Sequence, residues 1–262
     1  MLITLLGFIT GVLVGLTGTG GGVLLTPLLM IFTGYPALVI IGTDIVNGAI
    51  TKLLGTVEHQ KLSQVRWRLA GFLVLGTLPG TVGGIALINL LKAHMPAGRL
   101  DHFLRVGLGA TLIMVALLLP FVRLRKTHRP AEWVESPGGG KRLKLMLVGA
   151  LVGFLVAMTS VGSGSLLMVF LLLFTPFPIG QLVGTDIVYG LATMALAGSM
   201  HVWMGHFDAG LLLRLVVGAL PGVVLGARLS RIVPERQFNW LFSVLYLSLG
   251  ARLLIGASMV PK

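Results

Sequence analysis

The sequence contains no cysteine and few charged residues. The absence of cysteine excludes a disulfide framework, a thiolate metal site and a cysteine nucleophile. Charged residues make up 11% of the 262 positions and hydrophobic residues 55%, whereas a soluble domain has about 25% charged residues. With a mean hydropathy of +0.98, no soluble fold could hide so much apolar surface, so lipid must surround most of the chain.

Acidic residues are especially scarce, since 8 Asp and Glu stand against 20 Lys and Arg and give a net charge of +12. In a soluble protein this excess would indicate nucleic-acid binding. Here the basic residues lie mostly between apolar runs, where they set membrane topology and contact anionic headgroups. We therefore expect membrane lipid as a partner, and no nucleic acid.

The chain repeats itself with an offset of 142 residues, the separation of Asp44 and Asp186. The segment Gly-Thr-Asp-Ile-Val occurs at 42–46 and again at 184–188. A duplicated half with a glycine-broken polar segment in each copy is how many membrane transporters are built. The same offset pairs further residues of the two halves: Thr17 with Thr159, Gly20 with Gly162, Gly22 with Gly164, Pro36 with Pro178, His59 with His201, and Pro79 with Pro221.

Ten apolar runs follow one another, five in each half. A full span needs about 20 residues, so the last three runs of each half qualify and the first two are short. We predict an all-α polytopic membrane protein of about eight to ten helices, including short, broken or re-entrant ones. The runs are 3–17, 22–34, 37–57, 69–91 and 103–122, then 143–159, 164–175, 179–203, 211–230 and 238–257.

The predicted organisation is a first transmembrane repeat at 1–122, a linker at 123–144 and a second repeat at 145–262. The linker is basic and glycine-rich, which predicts a flexible cytoplasmic segment. If the two short runs of each half form a hairpin, the halves are inverted, and the Arg228–Arg236 cluster joins the linker inside. One long broken crossing in place of each hairpin would make the halves parallel.

Two glycine-rich breaks, at 17–22 and 159–165, are the first candidate binding elements. Glycine lets the backbone leave helical geometry, and unwound backbone at membrane depth needs protein or water around it. A helix that restarts after a break points free N–H groups and its dipole at an anion. Close helix packing through small residues is the alternative. The candidate anion ligands are Thr17, Gly20, Gly21, Gly22, Thr159, Gly162, Gly164 and Ser165, and hydroxyls such as that of Ser163 add donors.

Asp44 and Asp186 each lie about 12 Å into an apolar helix, counted from Pro36 and Pro178 at 1.5 Å per residue. A carboxylate at that depth costs about 2.5–3.5 kcal/mol, so it must be paired, protonated or facing water. Two roles remain open: proton coupling, and a scaffold role in which the carboxylate caps a neighbouring broken helix. Neither carboxylate is expected to bind an anion directly.

Lys52 is a lone intramembrane lysine whose repeat mate is Met194. It either attracts an anion or extends its ammonium towards the nearby cytoplasmic end. It is about 12 Å from Asp44 along the helix, too far for direct pairing. Asn47 and Tyr189 are also repeat mates, each three residues after its aspartate, and are expected to line the same cavity.

Other chemistry finds little support in the sequence. No His, Asp and Glu cluster has metal-ligand spacing, and no nucleophile elbow is present, so we expect no cofactor and no enzyme activity. His59 and His201 stand at predicted helix ends, where histidine is usually solvated. The Gly-x-x-Pro-Gly segments at 76–80 and 218–222 are either hinges or packing devices.

The break followed by an apolar run, the Gly-Thr-Asp-Ile-Val segment and the later Gly-x-x-Pro-Gly, in that order in both halves, resemble the sulfite exporter TauE/SafE family. The resemblance covers nearly the whole chain except 123–144. It implies a multi-pass transporter of the bacterial inner membrane for sulfur-containing anions, including sulfite, sulfonates and related organic acids. The second half departs from the glycine pattern, with Val161 and Ser163 where the first has Thr19 and Gly21, so unequal half-sites are expected.

The sequence thus predicts a secondary transporter for a small anion that binds between the two breaks and crosses by alternating access. A proton is the candidate coupling ion, through Asp44 and Asp186. A passive anion channel, an intramembrane enzyme and a membrane scaffold are the alternatives. The enzyme lacks a nucleophile–base pair or metal constellation, and the scaffold leaves the matched breaks without a purpose.

Overall fold

The computed structural model describes residues 1–17, 22–60, 65–122, 139–175, 177, 179–229 and 235–258. Within these ranges the chain forms ten α-helices and no strand. Five of them are long and apolar enough to cross a membrane, which confirms the all-α polytopic prediction. The helices are α1 (Leu2–Thr17), α2 (Gly22–Phe32), α3 (Ala37–Gln60), α4 (Trp67–His94), α5 (Ala97–Val122), α6 (Gly139–Thr159), α7 (Leu166–Phe174), α8 (Ile179–Trp203), α9 (Ala209–Leu229) and α10 (Glu235–Ser258).

Helix α6 corrects one prediction, because it begins at Gly139 and is long enough to span a membrane. The run at 143–159 was expected to be short, and 139–144 was assigned to the linker. The basic residues there extend the helix because long stems pack along apolar surface and keep their charge at the rim. The Arg142 guanidinium accordingly lies 5.5 Å from the ring centroid of Phe72. The rest of the predicted linker, 123–138, lies outside the described residues.

Helices α2 and α7 are too short to cross a membrane. Their 11 and 9 residues correspond to about 16 and 14 Å at 1.5 Å per residue, half of a hydrocarbon core about 30 Å thick. Each follows a glycine-rich break, so each begins inside the protein. Helices α2 and α7 are equivalent in the two repeats, and each begins beside a glycine-rich break, where the sequence predicted that a helix restarts.

The two repeats pack against each other reciprocally. Helix α1 packs on α9, and their repeat mates α6 and α4 pack on each other, while α3 packs on α8 and α5 on α10. The repeat mates α3 and α8 run antiparallel, since Gly42 faces His201 at one end and Gly48 faces Met194 further along. The polar segments of both repeats therefore meet along the α3–α8 contact.

Glycines make the two largest helix contacts possible. On α4, a Cβ at Gly76 or Gly80 would lie 2.0 Å from a backbone carbonyl oxygen of α6. On α9, a Cβ at Gly218 or Gly222 would lie 2.1 or 2.4 Å from one of α1. Small residues at such positions let helix backbones touch in a membrane. The Gly-x-x-Pro-Gly segments thus lie in helix interfaces. This position supports the packing role for these segments over the hinge role.

We expect Gly80→Ala to destabilise the protein by about 1–3 kcal/mol, because its Cβ would overlap the carbonyl of Ala150 and force α4 from α6. Gly71→Ala is the matched control, since it lies on the same helix with nothing within 4 Å of a Cβ. Thermal unfolding in detergent compares the two. Equal midpoints for the two variants would contradict this packing role.

Candidate functional site

Asp44, on α3, is buried and hydrogen-bonded to both repeats. Its Oδ2 atom accepts hydrogen bonds from the Thr26 hydroxyl of α2 and from the Ser160 hydroxyl, the latter at 2.9 Å. Thr26 belongs to the first repeat and Ser160 to the break of the second. Since only 2% of Asp44 is exposed, these two hydroxyls replace water at the carboxylate.

Asp186, on α8, is fully buried and joins three segments. Its Oδ1 atom accepts a hydrogen bond from the backbone N–H of Gly164 at 2.9 Å, just before α7. Its Oδ2 atom lies 3.3 Å from the Lys52 ammonium of α3, in a buried ion pair between the repeats. The protein's own carboxylate therefore holds the break two residues before α7 begins, a contact that is compatible with the scaffold role.

The break at 159–165 is held in a conformation that favours glycine. Gly162 and Gly164 have φ of 141° and 104°, and Ser160 adopts a left-handed φ of 61°. The Thr159 hydroxyl donates to the carbonyl of Leu155, closing the end of α6. Ser160 is the one non-glycine residue of the described chain at positive φ, and that conformation presents its hydroxyl to Asp44.

The glycine and threonine residues of the Gly-Thr-Asp motif contact the opposite repeat. The Thr43 hydroxyl accepts the backbone N–H of Asp208 at 3.1 Å, and the Thr185 hydroxyl accepts that of Arg66 at 3.2 Å. Arg66 and Asp208 are themselves repeat mates, so the two contacts are equivalent. A Cβ on Gly42 would lie 1.8 Å from the carbonyl oxygen of His206, so only glycine admits that loop.

A cavity of about 30 Å³ lies beside Asp44, between the repeats. That volume holds about one or two water molecules. Two of its polar atoms, Asn47 Oδ1 and Ser163 Oγ, are buried and have no hydrogen-bond partner within the described residues. The polar side chains that line the cavity are those of Thr10, Asp44, Asn47, Thr51, Lys52, Ser160 and Ser163.

The predicted site residues divide into three groups. Asp44, Asn47 and Lys52 line the cavity, whereas Thr159, Gly162, Gly164 and Ser165 shape the second break. The Ser165 hydroxyl is buried and has no partner in the described part of the chain. Thr17 ends α1 and Gly22 begins α2, while Gly20 and Gly21 lie outside the described residues.

Tyr189 does not share the cavity with its repeat mate Asn47. It is fully buried, and its hydroxyl donates to the carbonyl of Gly149 at 2.9 Å and lies 3.2 Å from the Thr77 hydroxyl. These contacts hold α8 against α4 and α6. The rule that places residues i and i+3 on one helix face is local, and it does not say which neighbouring helix each face meets.

Sequence reasoning missed the ion pair between Lys52 and Asp186 and the hydroxyls that meet Asp44. Thr26 is an ordinary threonine in an apolar run, and Ser160 was seen only as part of a break. For the ion pair a signal existed: a lone lysine and two aspartates at membrane depth need partners. The repeat offset compares mates, however, and does not show contacts between non-equivalent residues.

A second polar cluster lies at the end of α8. The Lys92 ammonium of α4 donates to His206 Nε2 at 3.1 Å, and the His201 ring, 5.5 Å away between centroids, donates from Nε2 to the carbonyl of Ala157. His201 was expected to be solvated at a helix end, but it is fully buried. His206 lies in the loop between α8 and α9, against Gly42 and next to the Asp208–Thr43 contact.

This cluster predicts acid sensitivity. Burial, with His201 and Lys92 nearby, lowers the pKa of His206 from 6.5 to about 4. The unfolded chain takes up this proton near pH 6.5 and the folded protein only near 4, so the stabilisation is complete above pH 6.5 and is lost as pH falls towards 4. We expect His206→Gln to flatten the pH dependence of thermal unfolding in that window. The exposed control His94→Gln should leave it unchanged; equal curves for both variants would contradict the prediction.

Apolar spans, reciprocal repeats, half-length helices beside the glycine-rich breaks and a polar cavity between the repeats define a multi-pass membrane transporter. A family model described as "Sulfite exporter TauE/SafE" matches residues 3–253. The chain belongs to the sulfite exporter TauE/SafE family.

Two of the curated relatives described next are named as transporters and a third carries the name of an enzyme. The probable membrane transporter protein YjnA of Bacillus subtilis is 33% identical over 253 residues, covering 96% of this chain and 98% of the relative. YdhB of the same organism, also named a probable membrane transporter protein, is 24% identical and covers 90% and 92%. A protein of Mesorhizobium japonicum named undecaprenyl-diphosphatase 2 is 29% identical and covers 79% and 76%. No solved structure matches the chain.

Proposed function

We propose that this protein is a secondary transporter that moves a small, sulfur-containing anion such as sulfite or a sulfonate across the bacterial inner membrane. The observation that carries the proposal is the cavity between the repeats, with a cation, a carboxylate and two buried polar atoms without partners among the described residues. The family description supplies the substrate class.

The anion is held in this proposal by Lys52 and Ser163, with Asn47 beside them. The Lys52 ammonium supplies positive charge, and the Ser163 hydroxyl supplies a hydrogen-bond donor. The cavity of about 30 Å³ is smaller than a sulfur oxyanion with its oxygens, so binding requires the walls to separate. Such a separation is the movement that alternating access needs.

Asp44 supplies the coupling. An anion about 4 Å from an ionised carboxylate is repelled by about 4 kcal/mol at an effective dielectric constant of 20, roughly a thousandfold in affinity. Binding beside Asp44 therefore favours a protonated carboxyl, which links anion transport to proton transport. Asp186 does not impose the same cost, because Lys52 neutralises it.

The two repeats are inverted in this proposal, and the linker that precedes α6, at 123–138, is cytoplasmic together with the basic start of α6. Inversion is supported by the antiparallel packing of the repeat mates α3 and α8. It also gathers basic residues on the linker side, as the positive-inside rule requires: Lys61, Arg66, Arg68, Arg228, Arg231 and Arg236. One repeat rocking against the other would then expose the cavity to each side in turn.

Uptake of radiolabelled sulfite by proteoliposomes tests the proposal. A panel of unlabelled sulfate, thiosulfate, sulfoacetate, taurine and acetate gives the substrate class. We expect saturable uptake that sulfur oxyanions inhibit and acetate does not. Conductance that does not saturate would instead support a passive anion channel. The absence of uptake by folded protein, with no inhibitor effect, would remove sulfur oxyanions from the proposal.

A further inference from the structure

The two aspartates have equivalent surroundings along the α3–α8 contact. Asp44 is followed one helical turn later by Gly48, and Asp186 by Gly190. The Lys52 side chain lies on Gly190, where a Cβ would be 2.6 Å from Nζ, and from there reaches Asp186. The Met194 side chain lies on Gly48, where a Cβ would be 2.6 Å from Sδ. Lys52 and Met194 are repeat mates. Beside each aspartate, the glycine one turn later therefore leaves an equivalent space that a side chain of the opposite helix fills.

The chemistry of the two places differs. The side chain in the space beside Asp186 is Lys52, which ends in an ammonium group. The side chain in the equivalent space beside Asp44 is Met194, an uncharged thioether. In the described residues no cation makes ion-pair contact with Asp44, which is met by the Thr26 and Ser160 hydroxyls. Asp186 thus has a cation of the protein itself beside it, whereas its repeat mate Asp44 has no ion-pair partner among the described residues.

A second difference lies three residues after each aspartate. Asn47 is buried beside the cavity, and its Oδ1 atom has no partner in the described part of the chain. At the equivalent position the Tyr189 hydroxyl already donates to the carbonyl of Gly149. A protonated carboxyl at Asp44 would therefore find an open acceptor on Asn47, whereas the Tyr189 hydroxyl beside Asp186 is already engaged.

The cavity beside Asp44 has room for about one or two water molecules. Only Asp44 and Lys52 carry charge among its lining residues. The other elements around it, which are α1, α2, α8, α9 and the 160–165 break, contribute hydroxyl, thioether and hydrocarbon groups. Asp186 lies behind Lys52, 3.3 Å from its ammonium nitrogen.

We propose that the duplicated motif built two equivalent cation sites, that the Lys52 ammonium permanently fills the one at Asp186, and that the one at Asp44 takes up and releases a single proton. The proton binds a carboxylate oxygen of Asp44 and leaves from the same atom, with no other bond made or broken. This inference rests on the proposed anion transport for its role in the cycle, but the site itself is defined without it.

The lysine can be exchanged between the two sites. Met194→Lys places a second ammonium against Asp44, and Lys52→Met removes the one at Asp186. The double variant Lys52→Met/Met194→Lys moves the single ammonium to the other repeat. Its proton site should then be Asp186, so Asp186→Asn in that background should have the effect that Asp44→Asn has in the natural sequence.

Infrared difference spectra recorded between acidic and alkaline pH test the site without any transport. The carbonyl band of a protonated, buried carboxyl should appear in the natural protein at acidic pH and should be lost in Asp44→Asn and in Met194→Lys. It should double in Lys52→Met and return to its natural size in the double variant. A band that persists in both Asp44→Asn and Met194→Lys, or a double variant insensitive to Asp186→Asn, would overturn the inference.

Transport stoichiometry tests the role of the site in the cycle. With the membrane voltage held at zero, the logarithm of sulfoacetate accumulation is plotted against the imposed pH difference. The slope should be one for the natural protein and the double variant and zero for Met194→Lys, all of which keep an ammonium group beside the cavity. Lys52→Met lacks that group and is tested by the spectra alone. An unchanged slope in Met194→Lys would overturn the inference. If the spectra behave as expected and neither sulfite nor sulfoacetate moves, the proposed function fails and the proton site stands.

Discussion

Lys52→Met should lower the free energy of unfolding by about 3–5 kcal/mol at alkaline pH, because it leaves the carboxylate of Asp186 buried and unpaired. Asp186 is fully buried and Lys52 is 8% exposed, so water cannot replace the lost ammonium without opening the α3–α8 contact. Methionine is the residue at the equivalent position of the second repeat and fits a place beside a glycine. Thermal or denaturant unfolding in detergent measures the effect.

Lys52→Met/Asp186→Asn is the matched control for this prediction. Removing both charges together should recover most of the lost stability, since no uncompensated charge remains. Acidic buffer should also restore part of the stability of Lys52→Met, because a proton neutralises the carboxylate. If the double variant is as unstable as Lys52→Met, the side-chain stem of Lys52 matters more than the ion pair.

Asp44→Asn should abolish pH-driven accumulation of the anion. The amide oxygen can still accept hydrogen bonds from Thr26 and Ser160, so the break should stay in place. Because the amide takes up no proton, a pH difference no longer drives net movement. Exchange of labelled for unlabelled anion should continue at a measurable rate, since it needs no proton. Uptake with and without a pH gradient, beside counterflow exchange, measures both.

The comparison variant for this prediction is Asp186→Asn. It leaves the Lys52 ammonium buried without its counter-charge, while the amide oxygen can still accept the hydrogen bond from Gly164, so we expect lower stability as its main effect. If pH-driven accumulation survives in both Asp44→Asn and Asp186→Asn, neither carboxylate couples transport to protons. If Asp44→Asn also loses exchange, its hydrogen bonds to Thr26 and Ser160 matter more than its proton.

Much of the architecture could be predicted because both repeats consist of long apolar runs and glycine-rich segments, and each of these patterns favours few structures. Apolar runs set the helices, and the glycine-rich breaks set where α2 and α7 begin. The start of α6 could not be predicted from hydropathy, because Lys141, Arg142 and Lys144 extend the helix with charged tips and apolar stems. Such residues lower the hydropathy of a segment without ending its helix.

The candidate site was harder to predict because it is made by contacts between non-equivalent residues. Depth in an apolar helix marked Asp44, Asp186 and Lys52 correctly as residues that need partners. Which partner each found depends on the antiparallel α3–α8 packing, which the sequence does not show directly. For the same reason Asn47 and Tyr189, equivalent in the repeat, face different surroundings.

Saturable uptake of radiolabelled sulfite by the natural protein and by Ser163→Val, reconstituted at equal amounts of folded protein, tests the central claim most directly. Ser163 lines the cavity with a hydroxyl that has no partner within the described residues, and valine replaces that donor by a methyl group and adds a second methyl. The matched control Ser199→Val makes the same change at an exposed hydroxyl on α8. We predict saturable uptake by the natural protein and the control, and a loss of at least tenfold in apparent affinity in Ser163→Val, about 1.4 kcal/mol. Equal uptake by all three would contradict anion binding in the cavity between the repeats.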